Sequence, residues 1–309
     1  MTYSPFSLHA PEGNPRDIQT TLRYWPKPPG DTITIDFRKP GAEERFNELE
    51  SLEQEHAVTI RDVRGLGESE QPTVEQNGFE YIYDPLPGYD ERESWNERRV
   101  ERFFLPRTEE LVAKLYPDAT RVLVYTNRIR SQPTGPNSPA HIVHSDFTPA
   151  GAMQHLRSLL SPDDLTKLEE TNARILALNI WRPLRTVTKD PLALCDWSST
   201  QPNQDIIPNR FIFADGWLEV AKVVYSERHR WWYCSGQRVD EVVVFKQFDS
   251  APGTIGEGES EVVGEKETKE ENGGMTGCSV VHSAFVDPEC VYEEPRRSLE
   301  IGIFAFLPG

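Results

Sequence analysis

Short runs of β-branched and aromatic residues alternate with turn-forming residues through the second half of the chain. Seven such runs, each four to nine residues long, predict strands at 173–181, 211–214, 218–225, 230–233, 241–248, 278–282 and 298–306. Many short strands at this spacing are typical of an antiparallel sandwich or barrel. We therefore predict a mainly β fold with flanking helices, of the α+β class.

The first 118 residues combine β-rich runs with a helical segment. The runs at 32–37 and 57–64 end at or near Pro or Gly, so we expect them to form a hairpin or to flank the main sheet. Between residues 91 and 116, apolar positions recur on one helical face. Pro106 lies within this segment and is expected to split it into two helices.

A buried strand is predicted at 121–125, before the loop that leads to His144. Residues 150–172 are predicted to form two more helices. The second of these begins with Ser161 as a typical N-cap and Pro162 at the first helical position.

The chain of 309 residues suits one decorated domain, because large β-barrels and sandwiches often reach this size. We expect a single domain in which residues 1–118 decorate a core at 119–309. The segment 251–277 repeats Gly and Glu and has almost no large apolar residue. Such a composition cannot offset the entropy lost on ordering, so a flexible acidic loop is predicted there.

The charge balance argues against a nucleic-acid partner, because 50 acidic residues face 33 basic ones and the net charge is -17. No segment approaches the run of about 18 apolar residues that a membrane-spanning helix needs, and the first residues lack the character of a signal peptide. The four cysteines have no CxxC spacing and suit a reducing compartment. We expect a cytoplasmic protein without membrane insertion.

His144 and Asp146 form an H-x-D motif. Residues two apart on an extended strand point to the same side, so both side chains can face one ion. Two imidazoles and one carboxylate are the set with which a non-haem Fe(II) oxygenase holds one face of its metal. A lone H-x-D is weak evidence, so a third ligand must come from elsewhere in the chain.

The choice of third ligand is between His229 and His282, because the other histidines lie in the N-terminal region or close to the H-x-D motif. His282 ends a predicted strand, and Arg296 follows fourteen residues later at the start of the next. Arg296 and Ser298 form an Arg-x-Ser motif that presents a guanidinium and a hydroxyl to the same side, which suits the distal carboxylate of 2-oxoglutarate. His229 has no such partner, and His282 is preferred.

The same residues also have ordinary structural interpretations. His282 could be a core histidine that is hydrogen-bonded to the backbone. Arg296 and Arg297 could be a solvated pair that offsets Glu293 and Glu294. These interpretations require several coincidences to explain the order H-x-D, strands, His and Arg-x-Ser.

Sequence blocks spread over most of the chain carry a family resemblance. They are V-H-S-D-F-T-P-A-G-A, L-N-I-W-R-P-L with P-L-A-L-C-D, H-R-W-W-Y with D-E-V-V-V-F-K-Q-F-D-S, H-S-A-F-V-D-P and P-R-R-S-L-E-I. As a set, from 20–25 to 305–306, they resemble the AsaB-type hydroxylase/desaturase family, which includes fungal gibberellin desaturase-like and endoperoxide-forming enzymes. The resemblance implies a double-stranded β-helix of the jelly-roll or cupin-like kind. It also implies an oxidoreductase that uses Fe(II), 2-oxoglutarate and O2 to oxidise a small molecule of specialised metabolism.

By the same resemblance, His144, Asp146 and His282 are the iron ligands, and Arg296 and Ser298 bind the cosubstrate. The dioxygenase would remove hydrogen from a C–H bond. Placement of the substrate would then decide between hydroxylation, desaturation, cyclisation and endoperoxide formation.

Two departures from the family pattern bear on the pocket: Gly302 stands where Arg is frequent, and Asn127 where His is frequent. Arg182 is expected to pair with a carboxylate of substrate or cosubstrate, with a structural salt bridge as the equal alternative. Trp231 and Trp232 should point to opposite faces of their strand, so only one of them faces the cavity. The residues predicted to line the substrate pocket are Asn127, Arg130, Phe147, Asn179, Trp181, Trp232 and Phe304.

Two other classes of function are left open. A metal-dependent cupin-like isomerase or lyase could use the same triad without 2-oxoglutarate. A non-catalytic accessory subunit could bind Fe(II) without turnover. The expected partner is a small molecule, and a homodimer is left open.

Overall fold

Two β-sheets form the body of the molecule. The computed structural model describes residues 15–27, 32–92, 96–251 and 277–309. The helices are α1 (Ala42–Glu50), α2 (Glu97–Leu115), α3 (Pro149–Leu159), α4 (Pro162–Thr171) and α5 (Pro202–Asp205). The strands are β1 (Ile18–Tyr24), β2 (Ile33–Asp36), β3 (Gln54–Asp62), β4 (Phe79–Tyr83), β5 (Arg121–Arg130), β6 (His144–Ser145), β7 (Arg174–Pro183), β8 (Leu192–Cys195), β9 (Ile206–Phe213), β10 (Gly216–Val223), β11 (Trp231–Tyr233), β12 (Glu241–Asp249), β13 (His282–Ala284) and β14 (Ser298–Leu307).

The strands divide into a nine-stranded sheet, in the order β1-β3-β11-β8-β13-β6-β10-β9-β2, and a five-stranded sheet, in the order β4-β12-β7-β14-β5. The pairs β3–β11 and β2–β9 are parallel, and the other paired strands are antiparallel. Buried side chains of both sheets form one apolar cluster, for example Ile60 and Leu194 of the first with Trp181 and Phe245 of the second. The prediction of a mainly β fold with flanking helices is confirmed.

Three of the four strands in the described part of the N-terminal region lie at the edges of the sheets. β1 and β2 are the two outermost strands of the nine-stranded sheet, and β4 is an outermost strand of the five-stranded sheet. The predicted runs at 32–37 and 57–64 correspond to β2 and β3, which do not pair with each other, so the expected hairpin does not form. β2 is an outermost strand as expected, whereas β3 lies inside the nine-stranded sheet between β1 and β11. The division into a decoration at 1–118 and a core at 119–309 stays a prediction. β4, from the first part, pairs along five residues with β12, from the second.

The predicted break at Pro106 is wrong. α2 continues through Pro106 for 19 residues, and the Asn96 side chain caps it by accepting a hydrogen bond from the Arg99 backbone N–H at 3.1 Å. A proline inside a helix removes one backbone hydrogen bond. Side chains from both halves of the helix, among them Phe104 and Val112, pack against the five-stranded sheet and outweigh this loss.

α3 and α4 follow the H-x-D motif. The predicted cap of α4 is confirmed, because the Ser161 hydroxyl accepts a hydrogen bond from a backbone N–H three residues later at 3.2 Å. In α3, the Thr148 side chain accepts a hydrogen bond from the Gly151 N–H at 3.0 Å. A Cβ on Gly151 would lie 2.1 Å from the Glu219 backbone oxygen, so α3 can approach β10 this closely only with glycine at this position.

Two β-bulges interrupt the five-stranded sheet. The register of β5 against β14 shifts around Tyr125, which is the extra residue. The register of β12 against β7 shifts around Gln247 in the same way. A bulge bends its strand and re-aims the side chain of the extra residue. Both side chains line one cavity.

The acidic loop predicted at 251–277 falls outside the described residues except at its ends, Ala251 and Gly277. Gly277 has a φ of 121°, and a Cβ there would lie 2.8 Å from the backbone oxygen of Asp249. This close approach requires glycine and brings the far end of the segment back to the end of β12.

Asp249, at the end of β12, neutralises two cationic side chains. Its carboxylate accepts hydrogen bonds from Arg174 Nε at 2.9 Å and from Lys246 Nζ at 2.9 Å. The side chains of Lys246 and Asp249 are 2 % and 0 % exposed. The ammonium group therefore depends on this carboxylate, because water does not reach it.

We expect Asp249→Ala to lower the free energy of unfolding by about 3–5 kcal/mol, because it leaves a buried charge without compensation. Urea denaturation followed by tryptophan fluorescence measures the change. The control is Asp90→Ala, which removes a surface pair with Arg92 at 2.9 Å and should change stability little. Equal effects of the two substitutions would contradict the interpretation.

Candidate metal centre and adjoining cavity

His144 and His282 lie opposite each other on two very short strands. β6 has two residues and β13 three, and the pair His144–His282 joins them. Asp146 brings Oδ1 to 3.7 Å from His144 Nε2 and Oδ2 to 3.7 Å from His282 Nε2. One ligand atom from each residue lies within 4.8 Å of the others, which among the described residues is the only such group of three His, Cys, Asp or Glu side chains. The structure thus brings the three predicted ligands together.

Hydrogen bonds to the backbone orient both imidazoles. His144 Nδ1 donates to the Ile142 carbonyl at 2.7 Å, and His282 Nδ1 donates to the Val280 carbonyl at 3.0 Å. A carbonyl only accepts, so each Nδ1 carries a proton, and in the neutral ring Nε2 then presents its lone pair. This arrangement is typical of histidines that bind metals.

The protonation states also suit metal binding. Burial and the neighbouring His282 ring lower the pKa of His144 to about 4, so this imidazole is neutral at neutral pH. Burial by itself raises the pKa of Asp146, but the two imidazoles, Arg130 and the Gln247 amide outweigh it and leave the pKa below its ordinary value. Neutral imidazole and ionised carboxylate are the forms that bind a metal ion.

His229 lies in a separate buried network. Its Nε2 is 3.3 Å from Asp205 Oδ2, and its Nδ1 is 3.2 Å from the Tyr24 hydroxyl. Trp231 Nε1 donates to the same hydroxyl at 2.9 Å. Both ring nitrogens of His229 therefore have protein partners, in contrast to the Nε2 atoms of the triad.

A small cavity of about 20 Å³ joins the triad to Arg296. Arg296 is 3 % exposed, donates from Nη1 to the Asp190 carbonyl at 2.8 Å and lies 5.2 Å from the centre of the Trp181 ring. Its Nε and the buried Ser298 Oγ have no hydrogen-bond partner in the described structure. Burial lowers the pKa of Arg296 to about 10. Buried polar groups without partners are costly, and a carboxylate would supply hydrogen-bond partners for these two atoms.

A larger cavity of about 410 Å³ shares four lining residues with the small one, and its volume is typical of ligand pockets. The shared residues are Arg130, Asp146, Asn179 and Glu300. Arg130 Nε donates to both Glu300 carboxylate oxygens at 3.0 and 3.1 Å, and Asn179 Oδ1 is buried without a partner. The larger cavity therefore opens onto the metal ligand Asp146.

Aromatic rings form one wall of the larger cavity. Phe147 stacks on His155 with ring centres 5.6 Å apart, and Tyr125 contacts His155 edge-on at 5.0 Å. Phe304 is fully buried, does not line the cavity, and lies behind this wall with its ring 4.9 Å from that of Tyr125. The predicted residues Phe147, Asn179 and Arg130 line the larger cavity, and Trp181 lines the small one.

A family model described as an oxidoreductase/YMDC permease-like domain matches residues 22–306. The chain belongs to this oxidoreductase family. The hydroxylase/desaturase poxK of Penicillium oxalicum is 26% identical over 322 residues, which cover 91% of this chain and 93% of that protein. The Fe(II)/2-oxoglutarate-dependent dioxygenase nvfI of Aspergillus novofumigatus is 30% identical over 209 residues, which cover 63% of this chain and 70% of that protein. The predicted resemblance to hydroxylase/desaturases is confirmed.

Among solved structures, the iron and alpha-ketoglutarate-dependent endoperoxidase NvfI is similar in fold. The TM-score is 0.68 at 21% identity, and the match covers 95% of this chain and 99% of that chain. The predicted double-stranded β-helix is thereby confirmed for this member of the oxidoreductase family. Among the described residues, no helix is both long and apolar enough to cross a membrane.

Arg182 does not reach the site, so the expected contact with substrate or cosubstrate is wrong. Its Nη1 donates to the carbonyls of Asp84 and Val239 at 3.0 and 3.1 Å, and its Nη2 pairs with the Asp84 carboxylate. Neighbouring side chains of a strand point to opposite faces. Trp181 faces the cavity, and Arg182 therefore faces away from it in a structural salt bridge.

Asn127 and Trp232 also lie outside both cavities, which corrects their predicted roles. Asn127 pairs across the sheet with Ile301, which belongs to the cluster packed on α2. Trp232 lies on β11 with the Arg61 guanidinium 5.6 Å from its ring centre. The motifs correctly located these segments but did not show which face each side chain takes.

Several lining residues were missed in the sequence. Gln247, Tyr125, Arg128, His155 and Glu300 all line the larger cavity. One available signal was the polar pair K-Q inside the otherwise apolar run V-V-V-F-K-Q-F. A polar residue in a buried strand needs a partner, and this one faces Asp146.

We expect the apo-protein to bind one Mn(II) per chain. His144→Ala should weaken binding by more than about 100-fold, because loss of a residue that only supports a metal ligand already costs up to about 100-fold. Electron paramagnetic resonance of free Mn(II) measures both. The control is His56→Ala, whose ring stacks on Tyr225 at 4.0 Å and lines neither cavity. Undiminished binding by His144→Ala would rule out the triad as the metal site.

Proposed function

We propose that the protein is an Fe(II)- and 2-oxoglutarate-dependent dioxygenase that oxidises a small molecule of specialised metabolism. The observation that carries this proposal is the position of a His-Asp-His cluster between a buried guanidinium and a cavity of about 410 Å³. The names of the relatives support the same chemistry. His144, Asp146 and His282 would hold the iron by one face and leave its other positions open.

Bound iron, 2-oxoglutarate and O2 would supply the oxidant that removes hydrogen from a substrate C–H bond. Arg296 and Ser298 would bind the distal carboxylate of 2-oxoglutarate, since their buried polar atoms lack protein partners. Trp181 packs beside Arg296 and keeps water from this ion pair. The protein thus binds its cosubstrate in a site of low polarity, where the charge interaction is strong.

The walls of the larger cavity would orient the substrate. The Tyr125, Phe147 and His155 rings offer an apolar surface next to Asp146. This surface decides which C–H bond faces the metal. It therefore decides between hydroxylation, desaturation, cyclisation and endoperoxide formation.

The alternative of a cupin-like isomerase or lyase gains no support from Arg296. Such an enzyme has no need of a buried guanidinium beside its metal, whereas 2-oxoglutarate supplies the missing carboxylate. Within the described chain, Arg296 has a carbonyl partner and no acidic one within 4.0 Å.

We also propose a cytoplasmic location, because all four cysteines are free and suit a reducing compartment. The homodimer that the sequence leaves open stays an expectation.

The proposal is tested by anaerobic titration of the apo-protein with Fe(II) and 2-oxoglutarate. We expect the weak visible charge-transfer band of the iron chelate in the wild type and its loss in His282→Ala, because the metal is no longer held. Arg296→Gln should keep Mn(II) binding but weaken 2-oxoglutarate binding by about 10- to 100-fold, the value of a hydrogen bond between charged groups.

The results for the wild type separate the classes of function. A wild type that binds Mn(II) but gives no band contradicts the dioxygenase and favours the isomerase or lyase. A band without succinate release on any screened molecule favours an accessory binding subunit.

The charges of the larger cavity indicate a substrate class. Arg128 lines this cavity and has no ion-pair partner among the described residues. The acid opposite it in the sheet, Glu300, is hydrogen-bonded to Arg130 at 3.0 Å. We therefore propose a substrate that carries an acidic group on an apolar or aromatic skeleton.

Succinate release with hydrophobic carboxylic acids and their matched primary amides tests this substrate class. We expect the acids to be preferred. For the best acid, Arg128→Gln should lower kcat/KM by about 10- to 100-fold, with little effect on its amide. Arg128 and Arg157 are both exposed, but Arg157, on α3, lines neither cavity, so Arg157→Gln is the control. Equal losses on acid and amide would contradict an anion contact.

A further inference from the structure

A chain of two hydrogen bonds runs from the wall of the larger cavity to Asp146. The Tyr125 hydroxyl donates to Gln247 Oε1, and Gln247 Nε2 donates to Asp146 Oδ2. Both side chains line the cavity. The proposed function uses the Tyr125 ring but gives the Tyr125 hydroxyl and the Gln247 side chain no role.

The chemistry of the groups fixes the direction of this chain. An ionised carboxylate only accepts hydrogen bonds, so Gln247 must turn its NH₂ group toward Asp146. Its carbonyl oxygen then faces Tyr125, which must donate. The Tyr125 hydroxyl thus prevents the amide from flipping, because a flipped amide would place its oxygen against the carboxylate.

The backbone is shaped to bring these two side chains together. Tyr125 and Gln247 are the extra residues of the two bulges in the five-stranded sheet. Gly302 lies beside the Tyr125 ring, and a Cβ there would be 2.4 Å from Tyr125 Cζ and 2.6 Å from Cε2. The two bulges and the glycine at position 302 therefore all help to place the groups that form these two hydrogen bonds.

A second contact ties the same two segments at the backbone. The Ser279 hydroxyl lies 2.8 Å from the Gln247 carbonyl and 2.9 Å from the Phe147 carbonyl. Phe147 directly follows Asp146. The distance between Gln247 and Asp146 is thus set by backbone as well as by side chain.

We propose that Gln247 and Tyr125 are positioning residues for Asp146: Gln247 holds one carboxylate oxygen, and Tyr125 holds the Gln247 amide in the orientation that allows it. This inference rests on the proposed role of Asp146 as a metal ligand. A carboxylate with Oδ2 occupied offers Oδ1 to the ion and leaves more positions open than a chelating carboxylate. Partners of this kind orient metal ligands and tune the affinity of the metal.

Titration with Co(II), read by its d–d absorption, tests the proposal without turnover. Gln247→Met keeps the length of the side chain but removes the donor, and we expect it to weaken Co(II) binding by about 10- to 100-fold. The d–d spectrum should also change, because the Asp146 carboxylate is free to rotate. A substitution that affected only folding would leave the spectrum of the bound fraction unchanged.

Two further variants disturb the hydrogen-bond chain at Tyr125, one step further from Asp146 than Gln247. Tyr125→Phe keeps the ring and should weaken Co(II) binding by about 2- to 10-fold, the value of one neutral hydrogen bond. Gly302→Ala removes no hydrogen-bonding group but displaces the Tyr125 ring, and should have a similar effect. The double variant Gln247→Met/Tyr125→Phe should bind Co(II) no more weakly than Gln247→Met alone, since Tyr125 acts through Gln247.

Matched controls remove buried hydrogen bonds elsewhere. Tyr233→Phe loses a bond to the Arg16 carbonyl at 2.8 Å, and Gln237→Met loses one to the Glu241 carbonyl at 2.7 Å. Neither should change Co(II) affinity or the spectrum. His282→Ala in the same titration separates the two proposals.

Equal Co(II) binding by the wild type and His282→Ala would overturn the proposed function itself. Loss of Co(II) in His282→Ala, together with wild-type affinity and spectrum in Gln247→Met, would overturn the positioning role alone.

Discussion

The cross-strand pair His144–His282 is the constraint on which the site depends. Side chains of directly opposed residues in an antiparallel pair lie about 4.5–5.5 Å apart at Cβ, and here the ring centres are 4.3 Å apart. Each ring is fixed by the carbonyl two residues before it, Ile142 in one case and Val280 in the other. Asp146 follows two residues after the first histidine, so the ligand geometry is a property of the sheet.

The fold tolerates several buried polar groups beside this pair. Arg296, Ser298 and Asn179 each have a buried polar atom without a partner in the described structure. Such atoms destabilise a folded protein, by about 1–3 kcal/mol each. The apolar cluster between the five-stranded sheet and α2, which includes Phe104 and Val112, stabilises the strands that carry them. The binding of a ligand with complementary groups would remove this penalty at the three positions.

The sequence predicted features that depend on local chemistry and missed those that depend on strand phase. H-x-D and Arg-x-Ser were found because their residue types and spacing belong to the chemistry, and the strands because apolar runs are local. The predicted break at Pro106 was wrong because the packing of α2 on the five-stranded sheet outweighs the low helix propensity of proline. The predicted contact of Arg182 with substrate or cosubstrate was wrong because neighbouring residues of a strand point to opposite faces of the sheet. Gln247 was missed because a bulge depends on the partner strand.

The two departures from the family pattern, Asn127 and Gly302, differ in their effect on the cavity, because they lie on opposite faces of the five-stranded sheet. Asn127 pairs with Ile301 on the side of α2 and cannot alter the cavity directly. Gly302 faces the cavity, and any side chain there would begin 2.4 Å from Tyr125 Cζ. An arginine at this position would displace the Tyr125 ring and with it the hydrogen bond to Gln247. The glycine therefore has two linked effects: it shapes the substrate wall, and it permits the contact that reaches Asp146. A substitution of Gly302 that changed the substrate range would therefore also disturb the hydrogen bonds that hold Asp146.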